Sequence, residues 1–172
     1  MADYSDTGLG KDSAYSDQYD ASLLYPIPRT KARGADASAT LPFVGVDLWT
    51  AFEISWLNSH GLPQLAIGEF IFPCTSSAIV ESKSFKLYLN SFIQTQFSSM
   101  KEVHKILTAD LAAATGATVD VLLYDIAEYN GFKPISEPDG ICIDNQPLAI
   151  DAYQPQPGFL SADSSLRVTE TV

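Results

Sequence analysis

Leu48-Trp-Thr-Ala-Phe-Glu-Ile-Ser-Trp-Leu57 sets Leu48, Thr50, Phe52, Ile54 and Trp56 against Trp49, Ala51, Glu53, Ser55 and Leu57. The first set is mostly apolar, so the stretch reads as a strand with one strongly buried face. Asn58-Ser-His-Gly61 follows as a turn, with glycine at its end. Pro63–Phe72 (PQLAIGEFIF) is a second strand, and the two form an antiparallel hairpin. Its second face is mixed (Leu65, Ile67, Ile71), which implies cover on both sides, from helices or from another subunit.

Beyond the hairpin the period changes. From Phe85 to Phe97 apolar residues recur at Phe85, Tyr88, Leu89, Phe92 and Ile93, the stripe of an amphipathic helix capped by Ser82 or Ser84. A second helix starts at Ser99, where Ser99-Met-Lys-Glu102 has capping-box spacing. Its stripe is Val103, Ile106, Leu107, Leu111 and Ala114, and Gly116 ends it. Thr118–Ile126 (TVDVLLYDI) is a third strand and Gly140–Asp144 (GICID) a short fourth. The order β-β-α-α-β-β predicts an α+β domain with two helices packed on one face of an antiparallel sheet.

Composition frames this domain. The chain has 172 residues, 46% of them hydrophobic, which suffices for one core plus tails. Residues 1–40 read as an N-terminal extension, with Met1 to Asp17 disordered or loosely attached. Residues 41–152 hold the domain. Residues 153–172, with Gln-Pro-Gln-Pro-Gly and Ser-Ala-Asp-Ser-Ser, have linker composition. Leu166-Arg-Val-Thr-Glu-Thr-Val172 stops on an extended, β-branched segment, unlike a natural end. A net charge of −11 and a pI near 4.3 leave no basic face for a phosphate backbone, so direct nucleic-acid binding is not expected. A local basic spot for one small anion remains. No signal peptide and no apolar run of about 18 residues is seen, so no membrane contact is expected. The expectation is a soluble cytoplasmic protein with Cys74 and Cys142 as free thiols.

The stretch richest in chemistry is Glu81-Ser-Lys-Ser-Phe-Lys-Leu-Tyr-Leu-Asn-Ser-Phe92. A carboxylate, two hydroxyls and an ammonium stand at a helix start, where unpaired N–H groups and the positive dipole end favour anions and polar ring edges. Lys83 adds a point charge suited to phosphate. Glu81 can accept from the ring N–H and amino groups of a planar heterocycle. The same residues also read as an ordinary helix cap with surface charges.

This stretch resembles the signature of the QueF family, the NADPH-dependent 7-cyano-7-deazaguanine reductases. Tyr19-Asp-Ala-Ser-Leu-Leu24, Leu41-Pro-Phe43, Asp47-Leu-Trp49, Glu53-Ile-Ser-Trp-Leu-Asn58, Gly61-Leu-Pro-Gln64 and Gly140-Ile-Cys-Ile-Asp144 are similar to its long, tandem form. The resemblance runs from about residue 19 to 151 and implies an N-terminal half. It implies the T-fold, sites between T-fold units, and reduction of a nitrile to a primary amine on the route to queuosine in tRNA. It implies that Val80, Glu81 and Ser82 touch 7-cyano-7-deazaguanine and that Ser82 and Lys83 touch NADPH. It further implies a C-terminal T-fold half as partner and a homo-oligomer, a dimer of tandem T-folds. In that chemistry a thiolate attacks the nitrile carbon to give a thioimide, and two hydride transfers follow. The family's Cys motif with Gln-Pro-Asp-Trp, and its His-Glu pair, do not occur here. No catalytic residue is therefore expected in this chain, and the fragment alone is expected to be inactive.

The other reactive residues read as structural. Cys74 lies at a strand end, seven residues before Glu81 and with no histidine nearby in sequence. Cys142 alternates with Ile141 and Ile143. His60 sits in the hairpin turn and His104 on a helix, without metal-ligand spacing, so no metal is expected. Asp120, Asp125 and Asp144 read as strand-edge or turn residues. An alternative is a non-enzymatic T-fold binding or assembly module. A zinc-dependent pterin cyclohydrolase is disfavoured, because the Cys and His ligand set is missing.

Overall fold

The structure is a computed structural model that describes residues 16–33, 41, 43–131, 145, 147, 149, 151–154 and 156–159. Two compact units are present, Met1–Tyr129 (with Val172) and Asn130–Thr171. In the second, the described structure is a 3-10 turn at Pro157–Phe159. The rest of the architecture belongs to the first. The expected strand at Gly140–Asp144, Cys142, Asp144, most of the Met1–Asp17 tail and the segment from Leu166 on lie outside the described residues.

The hairpin is β2 (Val46–Leu57) and β3 (Pro63–Pro73), antiparallel from Val46↔Pro73 to Leu57↔Pro63. Asn58 builds its turn, with Oδ1 accepting from His60 N at 2.9 Å and Leu62 N at 3.0 Å. Gly61 takes φ +76, which a side chain would strain. β5 (Asp120–Tyr124) pairs with the other edge of β3, so the sheet order is β2-β3-β5. The third strand is shorter than the Thr118–Ile126 expected.

The alternation in β2 does not run through. Ala51 pairs with Gly68 and Ile54 with Ala66, so Phe52 and Glu53 together face Ile67 in a β-bulge. The extra residue reverses which side chains point inward. Before the bulge Trp49 and Ala51 pack on the core, and after it Ile54 and Trp56 do. Phe52, expected on the buried face, is 62% exposed. Gly68 makes room for the change, because a Cβ there would stand 2.5 Å from Ile54 Cδ1.

α2 (Ser82–Asn90) and α3 (Met100–Thr115) cover one face of the sheet. Phe85, Tyr88, Leu89, Val103, Leu107 and Leu111 meet Ile54, Trp56, Phe70, Phe72 and Val121 in one core. α2 ends before the predicted Phe97. Ser91 Oγ turns back to Tyr88 O at 2.6 Å and Thr95 Oγ1 to Ser91 O at 3.1 Å, which competes with helix propagation. The chain then binds the end of β2, with Phe97 N donating to Leu57 O at 2.8 Å. Ser99 caps α3 as expected, but Glu102 reaches Ser98 N (2.7 Å) rather than closing the box on Ser99. Gly116 ends α3 at φ +68. This α+β arrangement, helices over an antiparallel sheet, is that of a T-fold-like unit.

One layer was not foreseen. β1 (Pro26–Pro28) pairs antiparallel with β4 (Ala78–Val80), and the short α1 (Thr30–Arg33) follows it. Upstream, Tyr19 packs its ring edge against Tyr88, Phe92 and Phe97. Tyr19 Oη and Tyr88 Oη both donate to Asp110 Oδ2, at 2.7 and 2.6 Å. Burial first, and then the Asp110 carboxylate, push the Tyr19 hydroxyl up to about 12 and raise Tyr88 as well. The folded chain thus keeps protons that the unfolded chain releases near pH 10. Stability from this node is complete below about pH 10 and falls as pH rises through 12. A thermal midpoint steady to about pH 9.5 and falling above pH 10 is expected, with a shallower fall for Tyr88→Phe. Equal slopes for both proteins would contradict the assignment.

Candidate functional site

The site grows from the junction of β4 and α2. Val80 is a core side chain, 2% exposed. The next residue, Glu81, is in extended conformation and is itself the helix cap: Oε1 accepts from Lys83 N at 2.9 Å and Oε2 from Ser84 N at 2.7 Å. The cap expected from Ser82 or Ser84 is therefore corrected to Glu81. The physical reason is that the Ser84 hydroxyl is spent elsewhere, donating to Glu81 O at 2.7 Å and accepting from Tyr25 N at 3.0 Å. Ser82 stays exposed, its Oγ 3.5 Å from Glu81 Oε1.

This cap changes the electrostatics of the helix start. Two of its N–H groups are already paired, and a carboxylate already complements the dipole end. An anionic ligand here has to be held by side chains. Glu81 is 6% exposed. A carboxylate has about four lone-pair positions, so acceptor capacity remains for a ligand N–H.

A cavity of about 400 Å³ opens beside this junction, between β2 and the outer face of α2. Ser82, Lys86 and Asn90 line it at i, i+4 and i+8, one stripe of the helix. Trp49, Glu53 and Ser55 line the opposite wall, and Ser55 Oγ donates to Glu53 Oε1 at 3.1 Å. Among the described residues, the Lys86 ammonium and the Asn90 amide have no polar partner. Sequence reasoning named Ser82 but missed Lys86, Asn90 and Glu53. The four-residue spacing from Ser82 was the available signal for the first two. Glu53 could not be found that way, because the bulge aims it. Glu81 and Lys83 do not line this cavity.

The remaining candidates lie apart. Cys74 is a half-buried free thiol at the end of β3, its carbonyl accepting from Arg33 Nη1 at 2.7 Å. His60 is in the hairpin turn, and His104 Nε2 lies 2.8 Å from Val121 O. Asp120 is exposed in β5, and Asp125 Oδ1 holds Ala127 N in a turn. Among the described residues no three His, Cys, Asp or Glu side chains gather as a metal site, and no helix is long and apolar enough to cross a membrane.

Known proteins resemble this chain closely. A family model described as the N-terminal part of the nitrile reductase, 7-cyano-7-deazaguanine reductase, matches residues 15–123. A Teredinibacter turnerae protein named NADPH-dependent 7-cyano-7-deazaguanine reductase is 44% identical over 93% of this chain and 57% of its own length. Proteins of the same name from Cupriavidus necator and Burkholderia vietnamiensis are 49% and 50% identical, each over 90% of this chain and over 57% and 56% of their own lengths. The chain thus spans somewhat more than half the length of these relatives. It belongs to the 7-cyano-7-deazaguanine nitrile reductase family, within the N-terminal region that the family model describes.

Proposed function

We propose that this chain is the N-terminal, ligand-binding half of an NADPH-dependent nitrile reductase that converts 7-cyano-7-deazaguanine to its aminomethyl product in queuosine biosynthesis. The observation that carries the reading is the β4–α2 junction: a buried, doubly anchored carboxylate at Glu81, directly followed by Ser82 on the wall of a cavity. In this proposal Glu81 accepts from the deazaguanine N–H edge, with Val80 and Ser82 as neighbours. Ser82 and Lys83 hold the nucleotide cofactor. The donor set, a hydroxyl and an ammonium, fits a phosphate. NADPH, when bound, supplies hydride. What this half contributes is binding, orientation and exclusion of water, while the nucleophile comes from a second T-fold half. The limits 41–152 for the T-fold unit, a linker over 153–172, a cytoplasmic location where NADPH is available, and assembly as a dimer of tandem T-folds belong to the same proposal.

The test compares the intact protein with this chain alone. The intact protein is expected to couple NADPH consumption to amine formation, and the chain alone is expected not to. Turnover by the purified chain, or none by the intact protein, would overturn the reading. In the intact protein, Lys83→Ala is expected to weaken NADPH binding far more than nitrile binding, because its ammonium offers charge without a planar reading edge. The loss should shrink as salt rises. Equal damage to both ligands in calorimetric titrations would count against the role.

A further inference from the structure

The segment before β1 lies antiparallel along α2, from the helix's C-terminal end to its start. Tyr19 N donates to Thr95 Oγ1 at 2.8 Å, and Asp20 N donates to Ser91 Oγ at 3.2 Å. Farther along, Tyr25 N donates to Ser84 Oγ, and Glu81 N donates to Tyr25 O at 2.8 Å. Pro26 then pairs with Val80. The far end is fixed by Tyr19 Oη on Asp110.

At the helix start these bonds close a ring. Glu81 N is held by Tyr25 O, and Glu81 O is held by the Ser84 hydroxyl, which is held in turn by Tyr25 N. Ser84 is 7% exposed, so its hydroxyl has little water to fall back on. The Glu81 carboxylate is anchored on Lys83 N and Ser84 N. Main chain and side chain of Glu81 are therefore both fixed, and its unused lone pairs have one direction. A cap needs the carboxylate bonds alone. The additional clamp on the main chain is explained by a need to hold that direction.

We propose that the Tyr19–Pro28 segment is a strap that aims Glu81 at its ligand, and that Ser84 is the positioning residue through which it acts. This rests on the reading of Glu81 as the acceptor for 7-cyano-7-deazaguanine. Ser84 touches no ligand. It sets how much of the acceptor's capacity is preorganised, and preorganisation is read out as affinity.

The experiment is calorimetric titration of the intact protein with 7-cyano-7-deazaguanine, beside thermal midpoints. Ser84→Ala is expected to weaken binding by roughly 3- to 10-fold, the net worth of one hydrogen bond. Ser84→Thr, which keeps the hydroxyl, is expected to recover most of it. In a Glu81→Leu background, Ser84→Ala is expected to cost nothing further in affinity, since no acceptor is left to aim. Should Ser84→Ala fail to fold, Tyr19→Phe loosens the far end of the strap and is expected to weaken binding in the same coupled way. Wild-type affinity with a lowered midpoint in Ser84→Ala, or equal losses in both backgrounds, would overturn the strap while leaving Glu81 as the acceptor. Wild-type affinity in Glu81→Leu would overturn that reading, and the strap's role with it.

Discussion

Glu81→Leu in the intact protein is expected to lower both the affinity for 7-cyano-7-deazaguanine and the thermal midpoint. The two losses have separate causes. Leucine cannot accept from Lys83 N and Ser84 N, and a lost cap costs about 0.5–2 kcal/mol. It also leaves the ligand's N–H donors unpaired in a closed site, costing about 1–3 kcal/mol, or roughly 5- to 150-fold in affinity. Glu81→Gln keeps one acceptor oxygen and places an amide donor where the second was. It is expected to fall between leucine and the native residue in both measurements. The discriminating result is a variant with a lowered midpoint and unchanged ligand affinity in calorimetry. That result would reduce Glu81 to a cap.

Trp56→Ala is expected to be the most damaging single change to the fold. The bulge is what turns Ile54 and Trp56, 1% and 3% exposed, inward after Trp49 and Ala51. Removing a buried tryptophan side chain costs about 3–5 kcal/mol. Domains of this size are stable by about 5–15 kcal/mol in all. Circular dichroism should show a thermal midpoint lowered by roughly 10 °C or more. Phe52→Ser, at an exposed bulge position, is the control and should change stability by about 0.5 kcal/mol or less. A melt for Trp56→Ala within a few degrees of the native midpoint would refute the weight given to the face that the bulge turns inward.

The same bulge shows where sequence reading stops. The hairpin, the second helix with its Ser99 cap and its Gly116 end, and the α+β class are local matters of period and capping, and all are legible. A bulge is defined by counting residues across two strands, so Leu48–Leu57 alone reads as regular. Its partner signal, Gly68, looks like any strand glycine until Ile54 is seen beside it. The β1–β4 pairing is invisible for a different reason. It joins two three-residue strands, one of them Pro-Ile-Pro, that are far apart in sequence and have no period of their own. At the candidate site, the position of Glu81, Ser82 and Lys83 at a helix start was legible, because consecutive residues stay together. The cap was assigned to the wrong residue because serine is the commoner cap, and the competing claim of Tyr25 on Ser84 is long-range. Glu53 on the cavity wall depends on the bulge and was missed along with it.

The strap also imposes an order in time. Its partners lie 59, 76 and 91 residues downstream of the atoms they bind. Closing loops of that length is entropically costly before other contacts reward it. During synthesis this segment leaves the ribosome before the residues it binds, so it has no partner until β4, α2 and α3 have been made. The hairpin and the helix pair can assemble from nearer neighbours. The Glu81 region should therefore be the last part of this unit to acquire its final geometry and the first to lose it, even though it is buried. Pulsed hydrogen exchange during refolding should protect amides in β3 and α3 before those of Tyr25 and Glu81, and the reverse order would disprove this. A segment made before its partners would then act as a completion signal, leaving the ligand site unformed until the helices behind it are in place.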